Sequence, residues 1–196
     1  MLNDKDMEIK RIAVFCGSSS GASIIYEEQA YLLGKTLALN GIEVVYGGAN
    51  VGLMKVVADG AIDHDGKVTG VLPGFLKEKE LNHERLTKIV IVKTMHERKY
   101  KMNQLCDGVI ALPGGYGTMD EFFEMMTWGQ LGLHKKPVAA LNINGFYDPL
   151  ISLAGNMWKE GFLKKEYLDS LLVGTTIEEV MSKIKAYQAP EVGKWI

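Results

Sequence analysis

The sequence predicts an α/β fold: a doubly wound, mostly parallel sheet with helices on both faces. Three observations predict it. Short apolar runs of strand length alternate with longer segments of helical periodicity along the chain, the pattern of repeated βαβ units. The runs are largely continuous rather than alternating with polar residues, as strands buried on both faces of a parallel sheet require. Three Gly-rich turns, GSSSG (17–21), GGANVG (47–52) and PGGYGT (113–118), each follow such a run. In sheets of this kind the turns after the strands gather at one edge, where ligands bind.

The first strand is RIAVFC (11–16), too short for a helix and ended by GSSSG. From Ser23 to Leu39, apolar residues at Ile24, Ala30, Leu33 and Leu37 recur at helical spacing, and Asn40-Gly41 supplies a stop signal. IEVVY (42–46) is the second strand, followed by a GG turn, a helix from about Gly52 to His64, and a strand at KVTGVLP. A charged connector, KEKELNHERLT, leads to the strand KIVIV (88–92) and the helical pattern MHERKYKMNQLC (95–106). GVIALP (108–113) is a strand, TMDEFFEMMTWGQLG a helix, KPVAALNI a strand and FYDPLISLAGNMWKEGF a helix. A short helix, the strand LLVG and an amphipathic helix from Thr176 to Tyr187 complete the pattern, and a Rossmann-like sheet is the natural way to pack it.

At 196 residues the chain has the length of one domain, so residues 1–196 are expected to form a single unit. Hydrophobic residues at 47% and charged residues at 23% exclude disordered and collagen-like classes. Basic and acidic side chains number 22 and 24, a net charge of −2, with no dense Lys/Arg block, so neither nucleic acid nor an anionic membrane is an expected partner. No apolar run approaches the roughly 18 residues of a membrane span, and the charged start MLNDKDMEIKR is unlike a signal peptide, so the expected location is cytoplasmic. Cys16 and Cys106 form no CxxC pair and read as buried free thiols. His64, His83, His96 and His134 never take a metal-ligand spacing, so no metal is expected.

PGGYGTMDE carries the most chemistry. Gly114, Gly115 and Gly117 let backbone N–H groups approach a ligand, and the loop runs into a helix N-terminus, which reads as a phosphate cradle. The plain alternative is a turn in which Thr118 caps the helix and Glu121 completes a capping box. GSSSG, with Ser18 its candidate, could add hydroxyls to the same anion. Neither GxGxxG nor GxxxxGK[ST] occurs, which removes the main support for NAD-type redox and P-loop chemistry. HERKYK places Arg98, Lys99 and Lys101 near a helix start, either beside a ligand or on a solvated face. Phe122, Phe123, Met125, Met126 and Trp128 make the helix after PGGYGT apolar nearly all round, as core or as the contact with a second subunit.

Together PGGYGTMDE, MHERK, FCGSSSG and YGGANVGLM resemble the LOG family of cytokinin riboside 5′-monophosphate phosphoribohydrolases, whose bacterial members were often labelled possible lysine decarboxylases. The resemblance runs from about Lys10 to Ile184. It implies a homodimer with a Rossmann-like fold that hydrolyses the N-glycosidic bond of a purine nucleoside 5′-monophosphate, without a cofactor. The family's catalytic arginine and glutamate match Arg98 and Glu121, and its nucleotide-contacting positions match Glu80, Lys99, Gly115, Tyr116, Gly117, Thr118, Met119, Asp120 and Thr127. No feature supports the Schiff-base lysine that a decarboxylase with pyridoxal phosphate would need. Two positions depart from the family's usual GGGxxGLMG: Ala49, expected to narrow one wall of the site, and Lys55, expected to add a charge near the ligand. In this reading Glu121, in the first turn of its helix, is kept ionised by the helix dipole. Arg98 orients it and the substrate, while Lys99 and the Gly-rich helix end hold the phosphate. The rival reading is a nucleotide or molybdenum-cofactor carrier of the same fold, and a dimer with a degenerate site is a third.

Overall fold

The computed structural model describes residues 8–77 and 83–191. The first apolar run forms β1 (Arg11–Phe15), whose side chains divide between two cores, Ile12 and Val14 on one face and Ala13 and Phe15 on the other. Only a central strand buries both sets. β1 pairs in parallel with β2 (Glu43–Tyr46) through Ile12↔Val44, and with β5 (Gly108–Ala111) through Val14↔Ile110. With β3 (Val68–Pro73), β4 (Lys88–Val92), β6 (Val138–Leu141) and β7 (Leu171–Gly174), the sheet order is β4-β3-β2-β1-β5-β6-β7. Every pairing is parallel, which sharpens the expectation of a mostly parallel sheet.

Helices cover both faces. On one, α1 (Ile24–Leu39), α2 (Gly52–Ile62) and α8 (Ile177–Ala186) pack against Ile12, Val14 and Val44. On the other, α4 (Met95–Leu105) and α5 (Tyr116–Gln130) bring Met102, Phe122 and Met125 against Ala13, Val109 and Ala140. A third helix on this side, α6 (Asp148–Lys159), buries none of its residues fully, although Leu150 and Ile151 lean on the same core. Two helix starts are written in the sequence as Thr-x-x-Glu. Thr94 Oγ1 accepts the Glu97 N–H and Thr176 Oγ1 accepts that of Glu179, while each glutamate reaches back to the N–H of the residue before its threonine.

The structure departs from the sequence reading at element ends. A short helix, α3 (Gly74–Lys77), follows β3 directly, over residues 74–76 for which the sequence predicted no element and the first residue of the expected connector. The helix expected from Phe146 starts at Asp148, after a 3₁₀ turn at Ile143–Gly145, because Pro149 suits a first helical turn and cannot sit deeper. α7 (Lys165–Asp169) is the short helix before β7.

This order fixes where a ligand can bind. From β1 the chain passes to β2 on one side, while β5, its other neighbour, sends the chain the opposite way to β6. The loops after β1 and β5 therefore diverge, opening a crevice at the carboxyl ends of the two strands.

Candidate active site

At that crevice the three Gly-rich turns meet around a cleft of about 270 Å³. The first turn contributes Ser18, the second Gly47 and the third residues 115–118, with Arg98 and Glu121 beside them and Val14, Cys16 and Met54 supplying the apolar wall. The first and third turns are tied by the Gly17 N–H, which donates to the Pro113 carbonyl at 3.1 Å. Gly114 packs between them: a Cβ there would lie 2.1 Å from Thr118 Oγ1 and 2.8 Å from the Gly17 nitrogen.

Arg98 projects from the first turn of α4 and is only 8% exposed. Its Nε donates to the Val71 carbonyl at 3.1 Å and its NH1 to Glu121 Oε1 at 2.7 Å. Its NH2 lies so close to the second turn that a Cβ on Gly47 would be 1.8 Å away. Glu121 is equally buried, at 7% exposure. Burial raises its carboxyl above the ordinary glutamate range, and the Arg98 guanidinium pulls the other way. The dipole expectation needs correcting. α5 begins at Tyr116 with Gly115 as N-cap, so Glu121 is its sixth residue, in the second turn, and Arg98 rather than the helix end favours its ionised form.

The early start of α5 also removes the capping box from the plain reading of PGGYGT. Thr118 is inside the helix, Gly115 caps it without a side-chain bond, and Glu121 bonds Arg98, so no Thr118–Glu121 capping box forms. The amino end of α5 opens on the cleft. Cys16 lines it as well, but burial, and then the Glu121 carboxyl, push its thiol far up, away from the thiolate that nucleophilic chemistry needs.

The remaining candidates separate from the cleft. Lys99 is buried, and its Nζ is held by Asp120 Oδ2 at 2.9 Å and Glu124 Oε1 at 3.2 Å, on the flank of α5. Burial opposes its charge, yet those two hydrogen-bonded carboxylates outweigh burial and raise its pKa. Met119, Asp120 and Thr127 line a shallow depression on the outer face of α5 together with Phe123 and Trp128, and Tyr116, 97% exposed, borders both hollows. Glu80 lies outside the described residues. The two departures from the usual second turn are not among the residues lining the cleft: Ala49 is buried, and Lys55 pairs with Asp59 one turn on. Among the described residues no cluster of three or more His, Cys, Asp or Glu is placed to hold a metal ion, and no helix is long and apolar enough to cross a membrane.

The family described as “Possible lysine decarboxylase” matches residues 54–184. The rice cytokinin riboside 5′-monophosphate phosphoribohydrolase LOG (Oryza sativa subsp. japonica) is 41% identical over 184 residues, covering 94% of this chain and 76% of the rice protein. Arabidopsis thaliana LOG4, of the same name and activity, is 41% identical over 177 residues, covering 90% of this chain and 82% of its own length. The chain belongs to the LOG family. Among solved structures, the molybdenum cofactor binding protein of Rippkaea orientalis superposes with a TM-score of 0.70 at 24% identity, over 92% of this chain and 98% of that one, a likeness of fold. In this LOG-family chain, sequence reasoning missed Val14, Cys16, Gly47 and Met54 in the cleft and Glu124 on Lys99. Gly47 had a signal, its place in the second turn after a strand. Val14 and Met54 had none, because an apolar residue lining a cleft has the same pattern as one in the core.

Proposed function

We propose that this LOG-family chain hydrolyses the N-glycosidic bond of a purine nucleoside 5′-monophosphate, giving free base and ribose 5-phosphate, with Arg98 and Glu121 as its catalytic residues. The observation that carries the proposal is the buried Arg98–Glu121 pair set in the same cleft as the open amino end of α5. Burying an ion pair is weak evidence for stability, since apolar residues of equal volume often serve as well or better. A site that must stabilise developing positive charge has a use for it.

Breaking the bond between the anomeric carbon and the purine nitrogen builds oxocarbenium character on the ribose. Glu121, 2.7 Å from Arg98, is held in place to stabilise that charge or to take a proton from the attacking water. Water supplies hydroxide to the anomeric carbon and, overall, a proton to the departing base. A carboxyl raised above its ordinary range is the stronger base once ionised, and the Arg98 guanidinium favours the ionised form. The first backbone N–H groups of α5 take the 5′-phosphate. Lys99, committed to Asp120 and Glu124, acts there at most through its field, so the phosphate relies on the backbone.

A carrier would need the glycines and the helix end but gains nothing from a buried carboxylate beside a bound phosphate. The deciding experiment is incubation with AMP, N6-prenylated AMP and a panel of other monophosphates, followed by chromatography for free base. Release of base from a purine member is expected. No base from any of them removes the hydrolase reading and favours the carrier.

The reading extends to the whole chain: residues 1–196 act as one nucleotide-binding unit, because the cleft draws on β1, β2, β5 and their loops together. Two such units pair as a homodimer over the outer face of α5, where Tyr116, Phe123 and Trp128 lie at the surface. A cytoplasmic place suits two buried free thiols, and the net charge of −2 gives no electrostatic reason for nucleic acid binding.

A further inference from the structure

Outside the cleft, a set of polar side chains centres on Asp59 of α2, which is contacted by Lys55 from its own helix and by His83 and Arg85 from the connector before β4. Burial would raise the Asp59 carboxyl, but the hydrogen bonds from these three residues hold it below the ordinary range. Arg85 also reaches Asp63, at 2.9 Å. His83 is the buried member, 5% exposed, and its main-chain N–H and both ring nitrogens are engaged. Its main-chain N–H donates to the Gly48 carbonyl at 3.1 Å. Nδ1 faces the Arg85 N–H at 3.2 Å and so accepts, which puts the ring proton on Nε2, 3.1 Å from Asp59 Oδ1.

We propose that His83 is a positioning residue for the reaction, holding the Gly47–Gly48 turn in place as the backstop of the Arg98 guanidinium. The chain of contacts is short. Asp59 and the Arg85 N–H fix the ring, the ring fixes the main chain of residue 83, and its N–H pins the Gly48 carbonyl. Gly47, next to it, leaves no room for a methyl group beside Arg98 NH2. Arg98 is thus bounded on three sides, by Val71, Glu121 and this turn. His83 itself does not line the cleft. The inference rests on the hydrolase reading for the reaction that it serves.

Losing the ring lets the turn relax and Arg98 move, and small displacements of an orienting group cost on the order of 10- to 100-fold in rate. His83→Ala is therefore expected to lower kcat for base release by about that factor, with KM within about twofold. His83→Gln, whose amide can still donate to Asp59, recovers part of the loss. His83→Asn, which can accept from the Arg85 N–H but is too short for Asp59, recovers less. In an Arg98→Lys background, His83→Ala adds little, because it acts through the group already replaced. Thr176→Ala, which removes the α8 cap far from the cleft, lowers the unfolding temperature and leaves kcat unchanged. A direct readout is the NMR signal of the Arg98 Nε–H, assigned by its loss in Arg98→Lys: it shifts in His83→Ala and returns toward its place in His83→Gln. A wild-type kcat in His83→Ala overturns the proposal, as does full additivity in the double variant. If the wild-type protein releases no base, the hydrolase reading fails separately, and an unmoved Arg98 signal then overturns the positioning role by itself.

Discussion

At 7% exposure, Glu121 has little water to solvate its charge, and its carboxyl is raised while Arg98, 2.7 Å away, restrains the rise. If the ionised form does the work, kcat/KM climbs with pH through a value above the ordinary glutamate range, so the acid limb of the profile lies above about pH 4.3. A limb at or below that value would count against Glu121 as the group observed. Glu121→Gln keeps the acceptor for Arg98 and removes the charge, and is expected to cost at least about 10²-fold in turnover, with only a small change in melting temperature. Arg98→Ala costs as much in turnover and more in stability, about 3–5 kcal/mol by denaturant titration, because it leaves a buried carboxylate without its partner. Away from the cleft, Glu179 is held down to about 2 by Lys183 and by the Thr175 N–H. A depressed carboxylate contributes stability above its unfolded value, near pH 4.3, and loses it as pH falls toward 2. Glu179→Gln should therefore flatten the acid end of a melting-temperature profile and leave the neutral end lower than in the wild type.

The N-cap of α5, Gly115, has no side chain to cap the helix, and the first residues of α5 open on the cleft. If that end holds the 5′-phosphate, AMP exceeds adenosine in kcat/KM by a wide margin, since binding energy at the phosphate is used at the reacting bond. Equal values would remove the phosphate from the argument. Elsewhere α1 and α2 touch backbone to backbone: a Cβ on Gly34 would meet the Val57 carbonyl at 2.1 Å, and one on Gly60 the Tyr31 carbonyl at 2.2 Å. Gly34→Ala should therefore destabilise by about 1–3 kcal/mol in a urea titration, against the small gain that alanine brings to an open helix. At this scale the sequence was legible where helical periodicity marks an element, as for α4 and α8. Thr94 and Thr176 mark helix starts through their own hydroxyls. The start of α5 was misplaced by two residues because its cap, Gly115, has no side chain to announce it, whereas Thr118 looked like one.

In the whole molecule, Tyr116 at 97%, Phe123 at 41% and Phe162 at 85% exposure leave large apolar side chains at the surface on the α5 and α6 side. A homodimer formed there is expected to scatter light with about twice the monomer's 21.7 kDa at micromolar concentration. A fully active monomer would defeat it. The fold class was readable because continuous apolar runs such as those of β1 and β5 occur only where both faces are covered. The division of the candidate residues between a cleft and the flank of α5 was not. Arg98 and Lys99 are neighbours in sequence but point along different sides of a helix, and which side meets Glu121 depends on packing that spans the sheet. The parallel order carries a further consequence, for how the protein is made. β1 lies between partners whose sequence positions differ greatly, and its contact with β5 joins residues about a hundred positions apart, the kind of non-local pairing that slows folding. One wall of the cleft, with Ser18, is translated early, while the wall carrying Glu121 comes much later. Catalytic competence should then return after helical signal in refolding, and a nascent chain has no cleft until α5 has left the ribosome.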